Sequence, residues 1–199
     1  MRTGILAIAM FALAGCSSQQ DETPTTKSPT VHEMMTQVVD VRADDVWAIG
    51  NAAIGDDAGI DPAMMNEEAW QKLAVAAGQL RDGAQQLSQL QPLLVTHNGV
   101  KIADEDVEFG HSADEVQSFI DREPDTFRNM ALTLVSHAAD LQKAAQEKDA
   151  VRAGELIGGL DPVCESCHLE FWYPSQKEIL KELEQTDPTL QQEMKHVMS

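Results

Sequence analysis

The chain has 199 residues, with 14 Lys and Arg against 33 Asp and Glu, a formal net charge of −19 and a pI near 4.4. That balance argues against nucleic acid as a partner and against electrostatic adhesion to anionic lipid, and it favours solubility or attraction of a basic partner. The length suits one domain and is short for two.

Met1-Arg2-Thr3 is followed by an almost uninterrupted apolar run over residues 4–14. This pairs a charged n-region with an h-region too short to span a bilayer. It ends in Leu13-Ala14-Gly15-Cys16, which looks like a bacterial lipobox. On that reading residues 1–15 are a lipoprotein signal peptide, and Cys16 carries the lipid. The rival is an ordinary secretory signal with an incidental cysteine. Ser17, rather than Asp, follows Cys16, and lipoprotein sorting rules then favour the outer over the inner membrane. The acyl chains supply the membrane affinity that an acidic surface cannot. Residues 16–28 are rich in Ser, Gln, Thr and Pro, as a flexible tether would be.

Ser28-Pro29 reads as a cap with proline at the first helical position, opening a helix to about residue 53. Its expected inward stripe is Met35, Val39, Arg42, Val46 and Ile49. Asp61-Pro62 repeats the device before a second helix to about residue 90, with Trp70, Leu73, Ala77, Leu80, Ala84 and Leu87 three and four apart. Residues 91–110 are irregular, and Asn98-Gly99 suggests a small hairpin over 93–102. Ser112 and Glu115 resemble a capping box for a short helix ending near Arg122. Pro124 opens a third long helix to about Lys148, whose stripe includes Phe127, Met130, Leu134, His137 and Leu141. A fourth begins after Asp149, with Asp161-Pro162 expected to kink or recap it. Its stripe is Ala153, Ile157, Leu160, Cys164, Cys167 and Phe171. A polar helix and tail complete residues 175–199. The expected fold is all-α, with four main helices over residues 29–174 and a C-terminal helical extension.

The stretch Cys164-Glu165-Ser166-Cys167-His168 is a CxxCH pentapeptide, the attachment signature of c-type haem. On a helix its Cys, Cys and His stand at i, i+3 and i+4, so all three project from one face. Two thiols can then tether a flat macrocycle while the imidazole ligates the iron. The rivals are a zinc half-site and a CxxC redox pair. Of three cysteines, one is assigned to lipid and two to haem, leaving none for a disulfide. His32, His97, His111, His137 and His196 form no finger-like ligand spacing, and no βαβ pattern surrounds the CxxC.

Four helices with CxxCH in the last resemble the cytochrome c′/c556 family over roughly residues 28–173. Val31-His32-Glu33-Met34-Met35, Val38-Val39-Asp40 and Asp44-Asp45-Val46-Trp47 are similar to its first-helix pattern, with Met34 where Leu is common and Val41 where Pro is common. The insertion over 91–122 is longer than usual. The resemblance implies one covalent haem c on Cys164 and Cys167, with His168 as axial ligand. Met35 matches the sixth-ligand position, with Met34 as the alternative and His137 as a competitor. Phe171 stands at the family's aromatic position, but Trp172 replaces the usual basic residue, leaving Arg42 as the substitute contact to a propionate. Trp47 is a further candidate haem contact, with plain core packing as its rival.

A thioether ligand suits electron transfer, and a small group there leaves an iron able to bind diatomic gases. Three functions follow: a lipid-anchored, periplasm-facing single-electron carrier with a membrane or periplasmic redox partner, a five-coordinate gas-binding protein, or a structural haem lipoprotein. The resemblance also admits a homodimer. No nucleophile–base pair or phosphate loop is recognisable, and the paired acids Asp56/Asp57 and Glu67/Glu68 sit where solvated helix ends are expected, so catalysis is not indicated.

Overall fold

The computed structural model describes residues 27–55 and 59–186, and every regular element among them is helical. The chain is all-α, and a lone bridge between Ile54 and Ile60 is the only β-type pairing among the described residues. The expected signal peptide, Cys16, most of the expected tether and residues 187–199 lie outside them.

The first helix starts at a different cap from the one expected. Thr30, not Ser28, takes the Glu33 amide on its hydroxyl at 3.2 Å, while the Glu33 carboxylate takes the Thr30 amide at 2.8 Å. This capping box satisfies two amides that a helix start leaves unpaired. Helix α1 then runs Val31–Met34, a π-helical turn covers Met35–Val39, and α2 continues over Asp40–Asn51. The junction residues all keep right-handed helical backbone, so the three pieces form one rod with one widened turn. The buried line along this rod is Val31, Met34, Val39, Ala43, Val46 and Gly50. Its intervals are three, five, four, three and four. The step of five falls at the wide turn, and beyond it Ala43 and Gly50 take the buried places expected of Arg42 and Ile49.

Asp61-Pro62 opens only a 3-10 turn, Pro62–Met64, with the Asp61 carboxylate accepting the Ala63 amide at 2.8 Å. Met65 then adopts extended backbone, and α3, Glu67–Ser88, starts afresh on Asn66, whose side chain accepts the Ala69 amide at 2.9 Å. The expected hairpin over 93–102 is absent. That segment's backbone is satisfied by other partners: the Leu94 and Val95 carbonyls accept from Val31 and His32 at 2.8 and 3.0 Å, and Gln117 bonds Val95 N–H and Leu93 C=O at 2.7 and 3.1 Å. Carbonyls that cap a helix start need no strand partner.

The remaining helices are α4 Ala113–Arg122, α5 Pro124–Glu147, α6 Ala150–Gly158, α7 Leu160–Phe171 and α8 Pro174–Thr186. The expected capping box of Ser112 and Glu115 starts α4. Lys148, in the left-handed conformation, ends α5, and the Asp149 side chain caps α6. The longest interface joins α3 and α5, with α2 packed on α3 and both α6 and α7 packed on α5. Leu73, Leu80, Leu141, Ala77, Ala84 and Ala138 are fully buried along that seam. Arg128 on α5 donates to the Ser88 and Leu90 carbonyls, neutralising the C-terminal end of α3.

The interruption expected at Asp161-Pro162 falls three positions earlier. Pro162 sits in the first turn of α7, and the break falls at Gly158–Gly159. A proline ring clashes with the carbonyl four residues before it, here Gly158, so the preceding helix has to end there.

Candidate functional site

The break before α7 decides how the CxxCH segment meets the rest of the fold. With its axis freed from α6, α7 lies on α5 and presents one face to a cavity of about 270 Å³. Val163, Cys164, Cys167, His168 and Phe171 form that wall. Their intervals of one, three, one and three trace one helical face, as the motif's spacing requires. A second wall comes from α5, with Phe127, Met130, Ala131 and Leu134. Phe127 and Phe171 meet edge-on, ring centroids 5.5 Å apart, and fix one corner. A third wall comes from the first helix: Val31, His32, Met35, Thr36, Val39 and Asp40. Ala103, Asp104, Trp172 and Tyr173 close the remaining side, where the Tyr173 hydroxyl donates to Asp104 at 2.8 Å. The lining is largely apolar, with a histidine and a thioether contributed by different helices.

Met35 and Met34 are separated by this geometry. Met35 lines the cavity, whereas Met34 is buried in the core and does not. His137 is not at the cavity either. Its Nε2 donates to the Leu156 carbonyl at 2.7 Å, occupying one of the last carbonyls of α6 at the break. Arg42 points elsewhere as well: it pairs with Asp45 at 2.7 Å and faces the groove between α2 and α3. Trp47 packs by Gly50, Gly154 and Ile157, where α2 meets α6, away from the cavity. Neither Arg42 nor Trp47 is among the residues that line the cavity. Phe171 is brought to the site, and Cys16 lies outside the described residues.

His32 lines the same wall as Met35, three residues before it, and sequence reasoning passed over it. The i, i+3 spacing of a histidine and a methionine on one helix was the available signal. Met130, expected on the inward stripe of the third helix, also lines the cavity.

Burial pushes the Cys164 thiol up to about 11 and the Cys167 thiol up to about 12, with acidic neighbours such as Asp40 and Glu170 adding to it. A redox CxxC works the other way, with a thiol lowered by a cation or a helix N-terminus. Among the described residues no group of three or more His, Cys, Asp and Glu side chains converges as a zinc site would require. The lining offers two thiols, Cys164 and Cys167, the imidazoles of His168 and His32, and the thioethers of Met35 and Met130 on largely apolar walls, a donor set of the kinds that haem uses. The described lining holds no Lys or Arg, so the acidic edge of such a group finds no cation there. No protein-family model, curated protein or solved structure matches this chain.

Proposed function

We propose that this chain is a c-type cytochrome of the c′/c556 kind: a four-helix bundle binding one covalent haem and carrying single electrons. One observation carries the reading: Cys164, Cys167 and His168 share an apolar cavity with Met35, a thioether from another helix. When bound, the haem supplies the redox couple. The chain's own part would be to hold it through Cys164 and Cys167, to offer His168 and Met35 as donors to the iron, and to limit water with Phe127, Phe171 and Trp172. A thioether donor and an apolar surround both raise a haem potential. A lipid on Cys16 holds the protein in the bacterial cell envelope, facing the periplasm and favouring the outer membrane. An acidic surface suits a basic redox partner.

The test is the spectrum of purified haem-loaded protein and of Met35→Ala. A low-spin spectrum in the wild type that becomes high-spin in Met35→Ala supports the carrier. A high-spin ferric spectrum in the wild type, unchanged in Met35→Ala, replaces it with the five-coordinate gas-binding reading. A low-spin spectrum that Met35→Ala leaves intact and His32→Ala abolishes transfers the ligand to His32. Slow electron exchange with any donor favours a structural haem.

A further inference from the structure

Tyr173, the only tyrosine of the chain, stands where the cavity meets the surface. It lines the cavity beside Trp172, Cys167 and His168. The Trp172 and Tyr173 amides both donate to the His168 carbonyl, at 2.7 and 2.8 Å, so one hydrogen bond joins Tyr173 to the histidine of the motif. The Tyr173 hydroxyl donates to the Asp104 carboxylate at 2.8 Å, and Asp104 is exposed. The backbone around Asp104 holds that carboxylate in place. Asp104 takes the left-handed conformation, φ 62°, which Asp tolerates better than most residues. Its carbonyl accepts the Val107 amide at 3.3 Å. Gly110 lies so close that a Cβ there would meet the same carbonyl oxygen at 2.0 Å. Burial, and then the bond to Asp104, push the Tyr173 phenol up to about 12, so the hydroxyl keeps its proton at neutral pH.

A protonated phenol gives up an electron readily only when its proton leaves with it, because the phenol radical cation is a strong acid. A base that takes the proton has to stand within about 2.6–3.2 Å of the oxygen, and Asp104 does. We infer that Tyr173 and Asp104 form a proton-coupled electron relay between the cavity and the surface, through which a one-electron oxidant of the organic peroxyl class is reduced. For its source of electrons the relay rests on the reading of this cavity as a haem site. In the first step the peroxyl radical takes one electron from Tyr173 and becomes a peroxide anion, which a solvent proton converts to a hydroperoxide. The phenolic O–H bond breaks, its proton passes to Asp104, and a neutral tyrosyl radical is left. In the second step one electron from ferrous haem passes by way of His168 to Tyr173, and Asp104 returns the proton. The phenol and the carboxylate are restored, and ferrous iron has been oxidised to ferric. The sum is one peroxyl radical, one proton and one electron giving one hydroperoxide.

The test uses the full haem-loaded protein, with organic peroxyl radicals generated by radiolysis. In the ferric protein, which has no electron to return, rapid-freeze electron paramagnetic resonance should show a tyrosyl signal that only Tyr173 can give. In the ferrous protein that signal should be absent while ferric haem forms. Asp104→Asn keeps an acceptor oxygen without a base. It should slow tyrosyl formation at least about tenfold, short of the roughly 10²–10⁴-fold of general acid–base catalysis because water also reaches the exposed Asp104. Asp104→Glu should restore part of the rate, and the wild-type rate should fall in deuterium oxide. A bond that merely closed the cavity would give no deuterium effect. Four results overturn the inference: no tyrosyl signal, or a tryptophan radical in its place; equal rates in wild type and Asp104→Asn; no deuterium effect; or ferrous haem oxidised as fast in Tyr173→Phe as in the wild type. Protein that carries no haem yet forms the tyrosyl radical at an Asp104-dependent rate sinks the haem reading alone and leaves the Tyr173–Asp104 couple standing.

Discussion

Replacing Gly83 by Ala sets two opposed effects against each other at the contact between α3 and the wide turn. Ala in place of Gly in a helix interior gains about 1 kcal/mol. The new Cβ, however, would stand 2.8 Å from Val38 Cγ1, and carbon atoms are comfortable only at about 3.5–4.0 Å, so something has to move by about 0.7 Å or more. Val is β-branched and holds nearly one rotamer in a helix, so the strain passes into the backbone of the turn. Overpacking of this kind costs about 1–3 kcal/mol, and the net expectation is a loss of about 0–2 kcal/mol. The assay is reversible denaturant unfolding of Gly83→Ala, Val38→Ala and the double variant. The cycle should show a favourable coupling of roughly 0.5–3 kcal/mol, because Val38→Ala makes room for the added methyl. A Gly83→Ala chain that gains about 1 kcal/mol, with an additive double variant, would refute the close approach of α3 to the turn.

Two further predictions concern protons. Backbone amide hydrogen bonds hold the Glu33 and Glu115 carboxyls below their ordinary value, from Thr30 and Ser112 respectively. A carboxyl lowered in the folded state adds stability above its unfolded pKa, and that stability is lost as pH falls through the folded value. The melting temperature of the wild type should therefore fall as pH drops below about 4.5, and Glu33→Gln with Glu115→Gln should flatten that slope. An unchanged slope would remove both boxes from acid stability. Tyr173 is the only tyrosine, so its ionisation reads directly in ultraviolet difference spectra. Burial, followed by its bond to Asp104, pushes it up to about 12, and Asp104→Asn should bring it part of the way back. Ordinary titration near pH 10 in the wild type would show that the Tyr173–Asp104 closure does not hold.

The helical class and the third long helix were legible because their apolar residues recur three and four apart, whereas the expected fourth divides into α6 and α7 at Gly158–Gly159; the Ser112–Glu115 box was legible because its chemistry is local. The caps of the first two helices were less so. Ser28-Pro29 and Asp61-Pro62 have the right residue types, but Thr30 and Asn66 do the capping, since tertiary contacts at Leu94 and Val95 and the buried Met65 choose where each helix starts. The hairpin failed because Asn98-Gly99 makes a turn whose flanks bond to α1 and Gln117 instead of to each other. At the site, Cys164, Cys167, His168 and Phe171 were readable from a single face of one helix. Met35 was readable as one of two neighbours, because a fixed period carries no trace of a π turn. Arg42, taken from that period, and Trp47, taken from the family resemblance, line other grooves.

The central claim is most directly tested by the covalent state of the two motif cysteines in protein purified from its own cells. Peptide mass analysis of the segment containing Cys164 and Cys167, with the pyridine haemochrome spectrum of the whole protein, settles it. The account predicts one haem per chain attached through both thiols. Both thiols free to alkylate in the native protein, with no haemochrome band, would contradict it.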